Sequence, residues 1–401
     1  MDKSRSVNLA SETPTMSLLQ MVIPTSWTLP CIYTAAKLGI ADLLKDGPKQ
    51  IDELAVLTDT NESALCRVLR TLTSIGVFLE VNPKCFTLTP TAQLLRSDVP
   101  DSLHGLFIIF GGMVYRSFGE LLYSVKTGKP AFDDIFNMSL YDYFRSNTSI
   151  GKSFNDAMAS YSAQSASLIA NSYDFSRIKS IVDIGGGIGV FLSAVLKENP
   201  HMKGILFDSP EVIEQAKDKE YLKKDISSGR CQLVSGSFFE SVPSGAEAYI
   251  IKFALNDWKD DQVIKIITNC HKAMKKNGKL LIIEYIDSTD LCRNEHSDRA
   301  FPDMVTLVLT PGRMRTEREF STLLQAAGFS QPKFINIPST SMYIIESMRL
   351  DKVKELKEKS IDIVAKFMEE GKYQEVAQLA QAMDHKRWYE VGQIMGAVSE
   401  H

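Results

Sequence analysis

The sequence lacks the features that mark a metal protein, a disulfide scaffold, a nucleic-acid coat or a membrane span. Its six cysteines, Cys31, Cys66, Cys85, Cys231, Cys270 and Cys292, form no CxxC pair and have no histidine at ligand spacing beyond the adjacent Cys270-His271. No metal site is expected from that pattern, and the cysteines read as reduced, packed thiols of a cytosolic protein. Lys+Arg number 45 against Asp+Glu 49, a net charge of −4, so nothing draws the chain generally to nucleic acid or anionic lipid. No fixed-period repeat or low-complexity tract is present, which excludes solenoids and linker arrays. The one long uncharged run, Thr13 to Ala36, contains Gln20, Thr25, Ser26 and Thr28, and Pro24 and Pro30 are expected to break it into pieces too short to span a bilayer. It lacks the basic start and small-residue cleavage site of a signal peptide, and reads as an apolar helix buried against a partner.

What is present is an ordinary globular composition, 44% hydrophobic and 23% charged, over 401 residues, which is enough chain for two or three domains. From Ser17 to about Tyr173 the apolar spacing is helical. Within that stretch, a short helix from Ile51, a second helix capped by Thr60 or Asn61 and ending at Gly76, and a hairpin around Asn82-Pro83 make a winged helix-turn-helix pattern. Its second helix carries only Arg67 and Arg70 as basic groups, against Glu62, so it reads as a scaffold or dimer element and not a DNA reader. From Ser180 the rhythm becomes strand, glycine turn, helix, strand. Runs at 181–184, 204–207, 231–234, 248–253 and 279–285 predict a parallel doubly wound sheet, and runs at 333–337 and 341–346 predict a hairpin at its edge. The last 51 residues are charged and helical, with Val353, Leu356, Val364, Phe367 and Met368 on one face. The expected division is 1–170, helical and winged-helix; 171–350, an α/β Rossmann-like domain; and 351–401, a helical extension.

The chemistry concentrates in the second of these. Val182-Asp183-Ile184-Gly185-Gly186-Gly187-Ile188-Gly189 is a strand entering a glycine turn that opens a helix, where backbone amides face a ligand. About twenty residues on, the next strand ends at Asp208, placed to take two ribose hydroxyls or, alternatively, to cap the helix before Ser209-Pro210.

Six ordered stretches, VDIGGGIG, FDSPEV, GSFFESVP, AYIIKFALNDWKDDQ, AMKKNGKLLIIEY and DMVTLVLTPGRMRTEREFSTLLQAAGF, resemble the S-adenosylmethionine-dependent O-methyltransferases of small-molecule metabolism that carry an N-terminal helical dimerisation domain. The likeness continues upstream through TGKPAFDDIFNMSLYDYF and FNDAMASYS, and covers about Leu18 to Met348. It implies a homodimer, an S-adenosylmethionine cofactor and a small-molecule substrate, with no nucleic acid or membrane partner. It also implies that Asp183, Gly185 and Gly187 hold the methionine portion of the cofactor, Asp208 the ribose, Ser237 and Phe238 the adenine, with Lys252 near the carboxylate. Serine, a neutral and weaker acceptor, stands at 237 where the family usually has aspartate. The catalytic set it implies is Asn256, Asp257 and Glu284. The family's proton-accepting histidine corresponds to Asn256, and a carboxylate that orients that histidine corresponds to Met314. An amide has no titratable lone pair near neutral pH. Methyl transfer to an aromatic or polyketide-like hydroxyl would then rest on proximity to an already acidic acceptor. The alternative is non-methylating chemistry, hydroxylation, decarboxylation or ring formation, with the cofactor retained. His104 and His296 are candidate substitute bases, and Tyr141, Phe144, Met158, Tyr161, Met304 and Val308 fall where the family builds its substrate pocket.

Overall fold

The computed structural model describes residues 13–99, 101–287, 297–338 and 340–350, and most of 364–384. His296, Val353, Leu356 and Met368 lie outside the described residues. The chain forms two compact units, one of residues up to Leu122 with Asp134–Tyr161, the other of Tyr123–Asp133 with Ser162 onward. The division therefore falls inside the long helix Thr148–Asn171, nine residues before the expected boundary at 170, and 123–133 join the second unit.

In the first unit, the helix Pro14–Lys37 runs unbroken through Pro24 and Pro30, contrary to expectation. A proline inside a helix strips the carbonyl four residues earlier of its N–H donor. For Pro30 that carbonyl belongs to Ser26, and the Tyr115 hydroxyl donates to it at 3.3 Å. Thr34 Oγ1 donates to the Pro30 carbonyl at 2.8 Å, which ties the next turn. Even unbroken, no single helix among the described residues is long and apolar enough to cross a membrane. Met16, Leu18, Leu19, Val22 and Trp27 on this helix are exposed in the single chain.

Asn61 Oδ1 accepts from the Ala64 N–H at 2.9 Å and starts the helix Glu62–Ser74. Strands β1 (Lys49–Gln50), β2 (Phe78–Asn82) and β3 (Cys85–Leu88) form an antiparallel sheet in the order β1-β3-β2. Leu54, Leu65, Leu69, Leu72, Phe78 and Phe86 close the core between this sheet and its helices. Arg70 is held by Glu80 in a two-pronged pair, Nε to Oε2 at 3.0 Å and Nη2 to Oε1 at 2.8 Å.

The second unit is built on a seven-stranded sheet: β4 (Ser180–Ile184), β5 (Lys203–Asp208), β6 (Cys231–Ser235), β7 (Ala248–Lys252), β8 (Lys279–Tyr285), β9 (Lys333–Asn336) and β10 (Met342–Met348). The spatial order is β6-β5-β4-β7-β8-β10-β9. The first five in sequence are parallel, and β10 runs antiparallel to both β8 and β9. The order reverses at β4 and β7, and in open sheets of this kind ligands bind outside the carboxyl ends of the strands at such a point. The central strands are buried on both faces, as Val182, Ile250, Ile251, Leu281 and Ile282 show. After β10 the chain is tied to the amino end of β8: Arg349 N–H donates to the Gly278 carbonyl at 2.8 Å and Leu350 N–H to that of Gly328 at 3.1 Å. In the extension, Phe367 and Leu379, the latter on the helix Tyr373–Asp384, are buried.

The first unit also holds a π-helical turn at Phe110–Val114, where a Cβ on Gly111 would lie 2.3 Å from Tyr33 Cβ. That atom sits next to the backbone and cannot swing away. Gly111→Ala should therefore lower stability by about 1–3 kcal/mol, whereas Gly119→Ala, in a helix with open space beside it, should be neutral or stabilising by up to about 1 kcal/mol. Denaturant unfolding of the two variants checks the contrast, and equal effects would contradict it.

Candidate functional site

The glycine turn sits at the carboxyl end of β4. Gly185 and Gly186 donate to the Phe207 carbonyl at 2.8 and 3.3 Å, which joins the turn to β5. A Cβ on Gly186 would lie 2.6 Å from Leu206 Cδ1 and 2.7 Å from the Asp183 carboxyl carbon, so no larger residue fits there. Gly187 has φ +59 and nothing within 4 Å of where a Cβ would stand, so a ligand can approach the turn closely on that face. Asp208 is aimed at this turn and does not cap the helix that follows. Its Oδ2 accepts from the Gly187 N–H at 2.9 Å, and its Oδ1 from that of Ser209, its chain neighbour, at 2.7 Å.

Two charged side chains are buried beside the turn. Asp183 is 1% exposed, and neither of its carboxylate oxygens has a hydrogen-bond partner among the described residues. Burial pushes its carboxyl up to about 7, with Lys252 opposing and Asp208 adding to the rise. Burial pulls the Lys252 ammonium down to about 8, against the charges of Asp183 and Glu284. Lys252 Nζ donates to Ser162 Oγ at 2.8 Å and lies 4.3 Å from the centre of the Phe253 ring. Phe253, directly after β7, lies in the left-handed region, φ +53, and stacks on Tyr285 with centroids 5.4 Å apart. A bulky residue held there is strained, and such strain gathers at functional sites. A buried carboxylate without a hydrogen bond among the described residues and a buried ammonium thus stand beside the glycine turn.

The short turn Leu255–Asp257 follows. Glu284, on β8, is 2% exposed and accepts from the Leu255 N–H at 3.1 Å and the Asn256 N–H at 3.4 Å through Oε1. Asn256 Nδ2 donates to Glu284 Oε2 at 3.0 Å and to the Tyr285 carbonyl at 3.3 Å. Burial and the Asp257 charge push Glu284 above the ordinary carboxylate range, while these donors and the Arg315 charge pull it back. On the other side of Asn256, Arg315 Nη1 reaches Asn256 Oδ1 at 3.4 Å and the Leu255 carbonyl at 3.0 Å. Met314 is buried, its N–H donating to Asp303 Oδ1 at 2.9 Å.

Phe238 borders the glycine turn, 3.6 Å from a Cβ placed on Gly185, and packs edge-on against Phe239 and Trp258. Ser237 Oγ accepts from the Phe239 N–H at 3.3 Å. Asp183, Gly185, Gly187, Asp208, Phe238 and Lys252 thus gather around the carboxyl ends of β4, β5 and β7, and Asn256, Asp257 and Glu284 around those of β7 and β8. Met304 is half-buried and Val308 fully buried in this unit. In the other unit, Tyr141 and Phe144 pack edge to face and Phe144 stacks on Phe154, while Met158 is half-buried and Tyr161 exposed. There too, His104 Nε2 lies 3.1 Å from the Ala36 carbonyl, an acceptor only, so that nitrogen carries the proton. Sequence reading missed Ser162, Phe253, Tyr285 and Arg315. Ser162 and Arg315 lie within or beside the FNDAMASYS and GRMRT segments, but nothing in the order of residues shows which groups they meet.

A doubly wound sheet whose cleft is lined by an open glycine turn, two strand-end acids and a buried lysine defines a Rossmann-like cofactor-binding enzyme. The chain belongs to the O-methyltransferase family: residues 118–330 match the O-methyltransferase domain and residues 23–98 the O-methyltransferase dimerisation domain. It is 40% identical to the phenazine O-methyltransferase of Lysobacter antibioticus, over 85% of this chain and 98% of that protein. It is 33% identical to the mitomycin biosynthesis 6-O-methyltransferase of Streptomyces lavendulae, over 82% and 93% of the two chains. Among solved structures it resembles LaPhzM, with TM-score 0.78 and 40% identity over 84% of this chain and 100% of that one. It also resembles the neocarzinostatin O-methyltransferase NcsB1 solved with S-adenosylmethionine and 2-hydroxy-5-methyl naphthoic acid, with TM-score 0.68 and 26% identity over 85% and 100%.

The buried Asp183 gives a pH signature. Its ordinary value is 3.8 and its folded value about 7, so between these the folded state binds the extra proton and stability falls as pH rises. Asp183→Asn removes that slope. The stability of the variant relative to the native protein should climb from about pH 4 to about pH 7 and then level off. Urea unfolding across that range checks it, and a flat difference would refute the assignment.

Proposed function

We propose that the protein transfers a methyl group from S-adenosylmethionine to a hydroxyl of an aromatic or polyketide-like small metabolite, with no base supplied by its own side chains. The observation that carries this reading is Asn256, which stands where the family's histidine is expected and has both ends of its amide engaged, one by Glu284 and one by Arg315. The names of the relatives, a phenazine O-methyltransferase, a mitomycin biosynthesis 6-O-methyltransferase and an O-methyltransferase solved in complex with a naphthoic acid, support a planar aromatic substrate of secondary metabolism.

Bound S-adenosylmethionine supplies an electrophilic methyl group on a sulfonium. Asp208 accepts from the ribose hydroxyls, Ser237 and Phe238 border the adenine, and Asp183, Lys252 and the glycine turn 185–187 lie beside the methionine end. The turn 255–257 and Glu284 shape the floor on which the acceptor lies, and the acceptor arrives with an acidic hydroxyl. Orientation of this kind supplies roughly 7–11 kcal/mol of rate enhancement in favourable cases. The exposed apolar side chains of Pro14–Lys37 fit a homodimer made through the first unit. The helix-helix-sheet arrangement there reads as a winged helix used for pairing. Arg70, occupied by Glu80, is withdrawn from any phosphate, and the reading places the enzyme in the cytoplasm.

Asp208→Ala should weaken S-adenosylmethionine binding by about 1.5–3 kcal/mol through two lost charge-assisted hydrogen bonds. Unchanged calorimetric affinity in the folded variant would count against this cofactor site.

Incubation with S-adenosylmethionine and phenols of graded acidity, with S-adenosylhomocysteine measured, tests the reaction. Turnover should follow the pKa of each phenol, and it should do so in Asn256→Ala as well, although that variant should lose about 1–3 kcal/mol of stability because Glu284 and Arg315 are left short of partners. One fixed pKa across all phenols would reveal a protein base. A cofactor-dependent product without S-adenosylhomocysteine would establish the non-methylating alternative.

A further inference from the structure

Three neighbouring strand ends border the cofactor cleft: the glycine turn follows β4, Asp208 ends β5, and Gly236-Ser237-Phe238 follows β6. Asp208 pairs in register with Ser235, and its carbonyl accepts from the Gly236 N–H at 2.9 Å, so Ser237 stands two residues beyond the cross-strand partner of that acid. Strands in a sheet are about 4.8 Å apart. The sulfur-bearing chain and the base leave opposite sides of a ribose ring. A nucleoside with its ribose over β5 and that chain toward β4 therefore carries its base over β6.

Ser237 is held firmly at that place. Its carbonyl accepts from the N–H groups of Glu240 and Ser241 at 2.9 and 3.1 Å, and the Phe238 carbonyl accepts from Asn269 Nδ2 at 2.9 Å. Gly236 lets the strand end close on the Phe207 ring, from which a Cβ would stand only 2.8 Å.

A serine hydroxyl has one proton and two lone pairs. One lone pair of Ser237 takes the Phe239 N–H at 3.3 Å, and its proton has no acceptor among the described residues. What remains is one acceptor and one donor on an O–H that rotates to suit its partner. A 6-aminopurine presents an N–H donor at its six-position, whereas a 6-oxopurine presents a carbonyl acceptor there, and the hydroxyl satisfies either. A carboxylate, the group the family usually has at this position, only accepts: its charge would strengthen the first contact and repel the second. The Phe238 ring beside it offers apolar contact, which does not tell the two bases apart.

We propose that Ser237 makes the cofactor site tolerant at the six-position of the purine, so that the protein takes the 6-oxo, inosine form of the cofactor as well as the adenosine form. The proposal rests on the reading that sets the ribose at Asp208.

The test is calorimetric titration of the full chain at pH 7 with S-adenosylhomocysteine and with S-inosylhomocysteine, the amino and oxo forms of the demethylated cofactor. Native protein should bind the two within about tenfold of each other. Ser237→Asp retains an acceptor for the Phe239 N–H two residues on, and should widen the ratio in favour of the adenosine form by about tenfold or more. Ser237→Ala should weaken both ligands alike and keep the ratio within about threefold of the native one. A larger native preference for the adenosine form, an unchanged ratio in Ser237→Asp, or a shifted one in Ser237→Ala would overturn the proposal. Should Ser237→Asp fail to fold, the native ratio and Ser237→Ala decide without it. Absence of S-adenosylhomocysteine binding to native protein would sink the cofactor site itself and the proposal with it, whereas tight binding with the wrong ratios sinks the proposal alone.

Discussion

Taking a guanidinium out of water costs several kcal/mol unless each N–H finds an acceptor, and the architecture around β7 and β8 is arranged to meet that demand for Arg315. The turn 255–258 turns its carbonyls inward, Asp260 approaches from the start of the next helix, and Gly312 allows the two segments to touch. Once the cation is satisfied, the orientation of Asn256 and the donors on Glu284 follow. The same constraint links distant parts of the sequence: residues near 255, 284 and 315 are held in one polar network by a single side chain. Breaking one partner of such a network leaves the others buried and short of bonds, which is why its members are expected to respond together and not additively.

Asp183 and Lys252 obey a different rule. They are buried beside the glycine turn with little to neutralise them except each other, and Asp183 lacks any hydrogen bond among the described residues. Stability is given up there. A region that is fully satisfied, around Arg315, adjoins one that is not, around Asp183, and the unsatisfied one is where the reading places the charged end of the cofactor. Tension of this kind between stability and binding is common at functional sites.

The sheet and the glycine turn were legible because their causes are local. A β-branched run ending in three glycines needs little else to define a strand and an anion-facing turn, and Asp208 follows at a fixed spacing. The helix Pro14–Lys37 was misread because the repair of Pro30 lies about ninety residues away, in Tyr115. Arg315 is not legible for the same reason: nothing in GRMRT separates it from Arg313 until the fold brings carbonyl acceptors to it. Ser162 sits on a helix where serine is common, and only its contact with Lys252 distinguishes it.

The tie between Arg349 and Gly278 bears on where this chain can be labelled. It places Leu350 at the amino end of β8, whereas Glu284 and Tyr285 stand at the carboxyl end, about 20 Å away at 3.3 Å per residue. Among the described residues the chain at Leu350 thus stands at the end of the sheet opposite the groups that face the ligand cleft, and a label attached at Leu350 starts from that remote end.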